Sequence, residues 1–198
     1  MGKERMGTEK RQEEILKTAL KIIHEEGYKN LTVRNIADRI NISEPAIYRH
    51  FDNKEEIVKN LAEMVFKENK IPIERGEHEN PYDLLRDLLH NHFKRLEQNP
   101  YFTAVLFQSE IFREYPEVRK LFINHREEKK KILMKIVKDG QESGHFSEEA
   151  DAEIFASLFM GGVRISALKW RDDGFSYPLT EKAGSIADEL FKILRRGG

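Results

Sequence analysis

Thr32-Val33-Arg34-Asn35-Ile36-Ala37-Asp38-Arg39-Ile40-Asn41-Ile42-Ser43-Glu44-Pro45-Ala46-Ile47-Tyr48-Arg49-His50-Phe51-Asp52-Asn53-Lys54 reads as two short helices meeting at a tight turn. Thr32 is a good N-cap, and Val33, Ile36, Ala37 and Ile40 follow at helical spacing. Asn41 tolerates the left-handed backbone that such a turn demands. Ser43 caps the second helix, and Pro45 falls in its first turn, where backbone donors need no helical partner. With Ile47 turned inward and 100° per residue, Phe51 lies on the same side. Pro45, Ala46, Tyr48 and Arg49 are then left on the outer surface.

That outer surface is narrow and mixed. A helix that enters the major groove of DNA needs this shape, with a few polar groups able to reach. Tyr48 can donate to a phosphate or lay its ring on a thymine methyl, and Arg49 can reach a phosphate or a guanine. His50 and Lys54 sit where the backbone phosphates would pass, and Lys54 opens the next helix, whose free amides attract a phosphate. The same spacing also fits an ordinary helical hairpin with a solvated face. Charge does not separate the two readings: residues 1–55 carry 11 Lys and Arg against 10 Asp and Glu.

The rest of the chain is also helical. Apolar residues recur at about 3.6 nearly everywhere, and no alternating segment suggests a strand. The expected helices cover about 9–27, the two described, 53–68, 81–98, 100–113, 116–143, 148–170 and 179–195, about nine in all. Asn53 and Glu56 form an approximate capping box for the fourth, and residues 69–80 read as a linker. The fold class is all-α: a three-helix head over residues 1–54 and a helical body over 55–198.

Composition limits the chemistry. With 34 Lys and Arg against 35 Asp and Glu, the chain is no uniformly basic nucleic-acid coat, though a local DNA-binding face stays open. It has no cysteine, so disulfides and thiolate metal sites are excluded. The uncharged run 154–163 is too short to span a bilayer, which takes about 20 residues. No membrane association and a cytoplasmic location are expected. Catalytic motifs are missing: His24-Glu25-Glu26-Gly27-Tyr28 lacks the second His of a zinc-protease helix, and no Gly-rich phosphate loop or nucleophile elbow occurs. His90, His92 and His125 read as solvated histidines rather than metal ligands. No enzyme activity, cofactor or metal is expected.

Leu31-Thr32-Val33-Arg34-Asn35-Ile36-Ala37, Ile42-Ser43-Glu44-Pro45-Ala46-Ile47-Tyr48-Arg49-His50-Phe51 and Asn53-Lys54-Glu55-Glu56-Ile57 together resemble the TetR family of transcriptional regulators. The string Tyr48-x-His50-Phe51-x-x-Lys54 is the most specific part. The resemblance implies a homodimeric repressor that binds a palindromic double-stranded DNA operator and releases it on binding a small apolar effector. It implies phosphate contacts by Thr32, Arg34, Ser43, Tyr48, His50 and Lys54, and base contacts by Pro45, Ala46, Tyr48 and Arg49. The alternative is a constitutive architectural or partner-binding protein on DNA, without an effector.

The resemblance further implies that the last two helices form the dimer interface, the alternative being a purely internal core. The final one has a clean apolar stripe, and the one before it is apolar nearly all round, so it must be covered on more than one side. Phe155, Ile165, Ile186, Leu190, Phe191 and Leu194 are expected there. Phe is frequent, at 12 residues. Aromatic residues at helical spacing serve first as core, and a subset (Phe93, Phe107, Phe112, Met134, Phe155 and Phe159) is expected to line an apolar ligand cavity. Residues 99–122 loosely resemble the bodies of family members that sense acyl-CoA. Arg113, Arg119, Arg126 and Lys130 would then meet the CoA phosphates.

Overall fold

The computed structural model describes residues 2–70, 80–107 and 113–195. Nine α-helices and no strand occur among them: α1 (Gly2–Glu26), α2 (Val33–Arg39), α3 (Glu44–Ile47), α4 (Lys54–Glu68), α5 (Pro81–Gln98), α6 (Thr103–Leu106), α7 (Pro116–Glu142), α8 (Ala152–Asp172) and α9 (Ala183–Phe191). The all-α architecture is therefore as expected. The chain forms two compact units, Met1–Glu68 with Ala104–Phe122, and Asn69–Thr103 with Ile123–Gly198.

The first unit is built on α1. Its buried stripe of Ile15, Leu16, Ala19, Leu20, Ile22 and Ile23 meets Ile36 and Ala37 of α2 and the apolar face of α4. Ile57, Val58, Leu61, Ala62, Val65 and Phe66 supply that face. Thr32 caps α2 as expected, its hydroxyl accepting from the Asn35 amide at 3.0 Å. Removing such a cap costs about 1 kcal/mol. Thr32→Ala should lower the unfolding free energy by that amount in urea titration. An unchanged midpoint would mean that water replaces the hydroxyl at no cost.

The cap of α4 differs in one detail from the expected capping box. Asn53 Oδ1 accepts from the Glu56 amide at 2.9 Å, but Glu56 reaches back to the Asp52 amide, at 2.5 Å, and not to that of Asn53. The expected start of α1 after Thr8 also moves, to Gly2.

The second unit packs α5, α8 and α9 around buried Leu85, Leu89, Phe93, Phe155 and Phe191. Helix α5 has the expected bounds, with Asn80 Oδ1 accepting from the Tyr82 amide at 2.9 Å. Three other expected helices are corrected. The one expected from Pro100 to Arg113 begins as a 3-10 turn, Pro100–Phe102, before α6, and 108–112 lie outside the described residues. Helix α8 begins at Ala152 because Asp151 caps it, accepting from the Glu153 and Ile154 amides at 2.8 and 2.9 Å. Helix α9 is flanked by 3-10 turns, Leu179–Lys182 and Lys192–Leu194.

Candidate nucleic-acid interface

Helices α2 and α3 are held at a fixed angle by their turn. Asn41 takes the left-handed conformation expected of it, with φ 55°. The turn is closed by the Ile42 amide donating to the Ala37 carbonyl at 3.0 Å. Ile47 and Phe51 are buried beneath α3 and its following turn. The Phe51 and His50 amides both donate to the Ile47 carbonyl, at 3.1 and 2.8 Å, so the polypeptide after α3 stays coiled.

The expected outer surface is on the outside. Pro45 and Arg49 are exposed, Ala46 is half-buried, and Tyr48 is 49% exposed despite its large ring. Thr32, Arg34 and Ser43 are exposed as well. Ser43 occupies the N-cap of α3 but makes no side-chain capping bond. Arg34 meets Asp38 only at 3.8 Å with both side chains mostly exposed, a contact worth little in water.

Two of the expected phosphate contacts are more constrained. Lys54 is half-buried, its ammonium 4.7 Å from the Tyr28 ring centroid. His50 is half-buried too, its carbonyl accepting from Gln12 Nε2 at 3.2 Å. Burial, with Tyr115 and Glu114 adding to it, pushes the Tyr28 hydroxyl far above its ordinary range, so the ring under Lys54 stays neutral.

The near-neutral charge of residues 1–55 resolves by pairing. Arg39 donates to Glu25 Oε2 at 2.7 Å and to Glu26, tying α2 to the end of α1. Its hydrogen bond holds the Glu25 carboxyl below the ordinary range. Along α1, Lys17 pairs with Glu13 and Arg11 with Glu14, each at 2.6 Å. These four carboxylates all lie on α1, whereas Glu44 opens α3 itself and is exposed.

In the second unit the expected dimer residues divide. Ile165 is 66% exposed, and Ile186 and Leu190 are half-buried, whereas Phe155, Phe191 and Leu194 are packed inside the unit. A residue closed off on all sides by its own unit has no surface to offer a second copy. The outward apolar positions that the sequence reading passed over are Ile154, 56% exposed, Leu158, 47% exposed, and Ile193. Ile154 and Leu158, with Gly161, Ile165 and half-buried Leu168, form one stripe along α8 at alternating steps of four and three. A Cβ on Gly162 would stand 3.8 Å from Ile186 of α9, while one on Gly161 would meet nothing within 4 Å.

The expected ligand residues are mostly interior. Phe93, Phe155 and Phe159 are buried, Phe107 and Met134 are half-buried, and Phe112 lies outside the described residues. Among the basic groups expected for CoA, Arg113, Arg119 and Arg126 are exposed, and Lys130 pairs with Glu153 at 2.6 Å. The inward-facing basic groups are others. His92 and Arg95 of α5 gather with His125 and Lys129 of α7. His92, expected to be solvated, is buried, and no partner among the described residues meets its Nε2.

Burial, then Lys129 and Lys70, pushes the His125 ring down to about 3, and burial with Lys129 and Arg95 holds His92 well below its ordinary value. Both rings stay neutral in the fold and take up a proton on unfolding below pH 6.5. The unfolded chain then binds more protons from there down to about pH 3, so stability falls as the pH drops through this window. The urea midpoint at pH 5 should lie below that at pH 7, with a smaller gap in His125→Asn. An equal gap in the variant would assign the acid sensitivity to other groups.

Among the described residues no helix is long and apolar enough to cross a membrane, and no cluster of three or more His, Asp or Glu could hold a metal ion. Residues 15–61 match the bacterial regulatory proteins of the tetR family, and residues 78–197 match the tetracyclin repressor-like C-terminal domain. The HTH-type transcriptional repressor KstR2 of Mycobacterium tuberculosis is 27% identical over 192 residues, covering 94% of this chain and 92% of that protein. The fatty acid metabolism regulator protein of Bacillus subtilis is 26% identical over 183 residues, covering 89% and 92%. A solved structure of FadR from Bacillus subtilis in complex with stearoyl-CoA has the same fold, with a TM-score of 0.76 at 22% identity over 92% of this chain and 98% of that one. The helix-turn-helix face, the helical body and these matches agree: the chain belongs to the TetR family of DNA-binding transcriptional regulators, and it is a regulator rather than an enzyme.

Proposed function

We propose that the protein is a homodimeric repressor that grips a near-palindromic operator through α2 and α3. A small apolar effector of the fatty acyl-CoA class releases it. The observation that carries this reading is the outer face of α3, where Pro45, Ala46, Tyr48 and Arg49 stand clear while Ile47 and Phe51 lock the helix from below. Thr32, Arg34, Ser43, His50 and Lys54 surround that face and serve the phosphates. The exposed stripe of α8 and the half-buried Ile186 and Leu190 of α9 supply a surface for the second copy. Two copies would present their recognition helices to half-sites one turn of DNA apart, roughly 34–36 Å.

The effector class is supported by the likeness to a fatty acid metabolism regulator and to the fold of a regulator solved with stearoyl-CoA. An effector acts by preferring one conformation of the body, and it shifts the population toward that state. The recognition helices then no longer match the half-site spacing.

Anisotropy titration on the DNA upstream of its own gene, with a scrambled duplex at the same salt, tests the reading. Contact with a base edge is worth about 1–3 kcal/mol, so Tyr48→Ala should weaken operator binding roughly ten- to a hundredfold. The dimer should stay intact. Long-chain acyl-CoA should release the wild type. Wild-type affinity in Tyr48→Ala would remove α3 from the DNA, and equal binding of both duplexes would favour a non-specific architectural role.

A further inference from the structure

Lys54 is held in place by something other than an acid. Arg39 on α2 is tied to Glu25 and Glu26, and Arg34 leans on Asp38. A phosphate that meets either of them competes with a carboxylate already there. Lys54 makes no ion pair among the described residues. The Glu56 carboxylate two residues on is engaged, accepting from the Asp52 amide. The Lys54 ammonium rests instead on the Tyr28 ring, 4.7 Å from its centroid. Attraction to a ring face orients a cation and leaves its charge uncancelled.

Both partners are fixed from beneath. Tyr28 opens a 3-10 turn, Tyr28–Asn30, between α1 and α2. Gly27 enters that turn with φ 84°, a positive value that suits glycine. The Asn30 amide donates to the Gly27 carbonyl at 3.1 Å, and the Leu31 amide to the Tyr28 carbonyl at 3.0 Å. Leu31 is fully buried, and Thr32 caps α2 directly after it. The far end of the ring is enclosed too. The Tyr28 hydroxyl is buried, and Tyr115 and Glu114 bear on it from the residues just before α7. Those residues belong to the same compact unit. Lys54 is the first residue of α4, whose start is fixed by Asn53 accepting from the Glu56 amide at 2.9 Å. The ring is a rigid support, and the lysine is a flexible four-carbon arm laid on it.

We propose that Tyr28 is a positioning residue for DNA binding, its ring holding the Lys54 ammonium ready for a backbone phosphate. This rests on the reading above in which Lys54 serves the phosphates. A free lysine loses rotamer freedom when it closes on a phosphate. Lys54 has lost much of that freedom already in the folded head, and preorganisation of this kind tightens binding without a new contact. Tyr28 itself never needs to touch the DNA. A phosphate contact carries no base information, so the effect should be equal on any duplex.

The test is a double-mutant cycle on the full-length protein. Anisotropy titrations use two duplexes, the DNA upstream of its own gene and a scrambled one, over a series of salt concentrations. Lys54→Met should weaken both by at least about twentyfold and reduce the salt slope by about 1 for each copy bound. Tyr28→Leu should weaken both by about fivefold. Made in the Lys54→Met protein, Tyr28→Leu should weaken them by less than about twofold more, because the ring then has no cation to hold. Tyr28→Phe keeps the ring and should stay within about twofold of wild type. Thermal unfolding checks that each variant is folded. In free wild type, the ring should shift the Lys54 ε-methylene protons upfield, and this needs no variant. A tyrosine that only stabilised the head would weaken binding equally in both backgrounds, and that result overturns the proposal. Ordinary Lys54 shifts overturn it as well, as does tighter binding in Tyr28→Leu, the sign of a ring that competes with phosphate. Wild-type affinity in Lys54→Met overturns the phosphate reading itself, and the role of Tyr28 with it.

Discussion

Ile165→Glu is expected to turn the proposed dimer into a monomer while leaving its helices in place. Ile165 is 66% exposed on α8, in line with Ile154, Leu158 and Gly161. Soluble chains do not keep such a stripe in water without use. Covering one isoleucine contributes roughly 1.5–3 kcal/mol, and a two-fold interface covers it twice. The variant loses both contributions and in addition places two carboxylates in the interface, each costly to desolvate. A rise of the dimer dissociation constant of at least a hundredfold follows, about 3 kcal/mol or more. Sedimentation would show the change in mass, far-UV circular dichroism the retained fold, and the operator titration the loss of paired half-site binding. Phe155→Ala is the contrast. Phe155 is wholly buried, so its truncation should cost about 3–5 kcal/mol of folding stability at any protein concentration. An Ile165→Glu protein that still sediments as a dimer would place the interface elsewhere.

Gly140→Ala should be the most damaging single-methyl change in the second unit. A Cβ there would stand 2.2 Å from Phe146 Cδ2 and 2.4 Å from Cε2, inside any allowed separation. Phe146 cannot yield easily. It is fully buried, its ring meets Tyr82 edge-on at 4.7 Å, and Tyr82 in turn meets Phe191 at 5.0 Å. The backbone is pinned as well, because the Gly140 carbonyl accepts from the His145 and Phe146 amides at 2.9 and 3.0 Å. Overpacking of this kind costs about 1–3 kcal/mol and sometimes more, and the upper end is expected here. For a chain of this size that lowers Tm by roughly 6–12 °C. Phe146→Leu on its own leaves a cavity, yet combined with Gly140→Ala it should recover part of the loss. Calorimetric melts of the two single variants and the double variant read this directly, and simple additivity would show that the clash is relieved by moving α7 instead.

Local features were legible in the sequence, because their causes lie within a few residues. Thr32 caps α2, Asn41 turns left-handed, and Ile47 and Phe51 face inward, all as propensity and the 100° step require. The bounds of α5 were equally clear between Asn80 and Asn99. Helix α8 was harder. Its apolar residues run all round, so periodicity cannot tell Ile154, which faces out, from Phe155, which faces in. The choice depends on where α5 and α9 pack, which no local pattern encodes, although the four-three spacing of 154, 158, 161 and 165 was there to be read. His92 was misjudged for the same reason. A histidine among Asn91, Lys94 and Glu97 looks solvated until α7 brings His125 and Lys129 against it.

Trp170 gives the second unit an optical signal of its own. It is the chain's single tryptophan, buried near the end of α8, with its indole N–H donating to the Tyr177 carbonyl at 2.7 Å and Phe175 edge-on at 4.6 Å. Emission excited at the indole band therefore comes from the body alone. It starts blue-shifted in the native protein and moves to the red when α8 loses its packing. Entry of the proposed effector into the body can thus be tested in unlabelled protein, and a fluorophore on the DNA can test for release in the same cuvette.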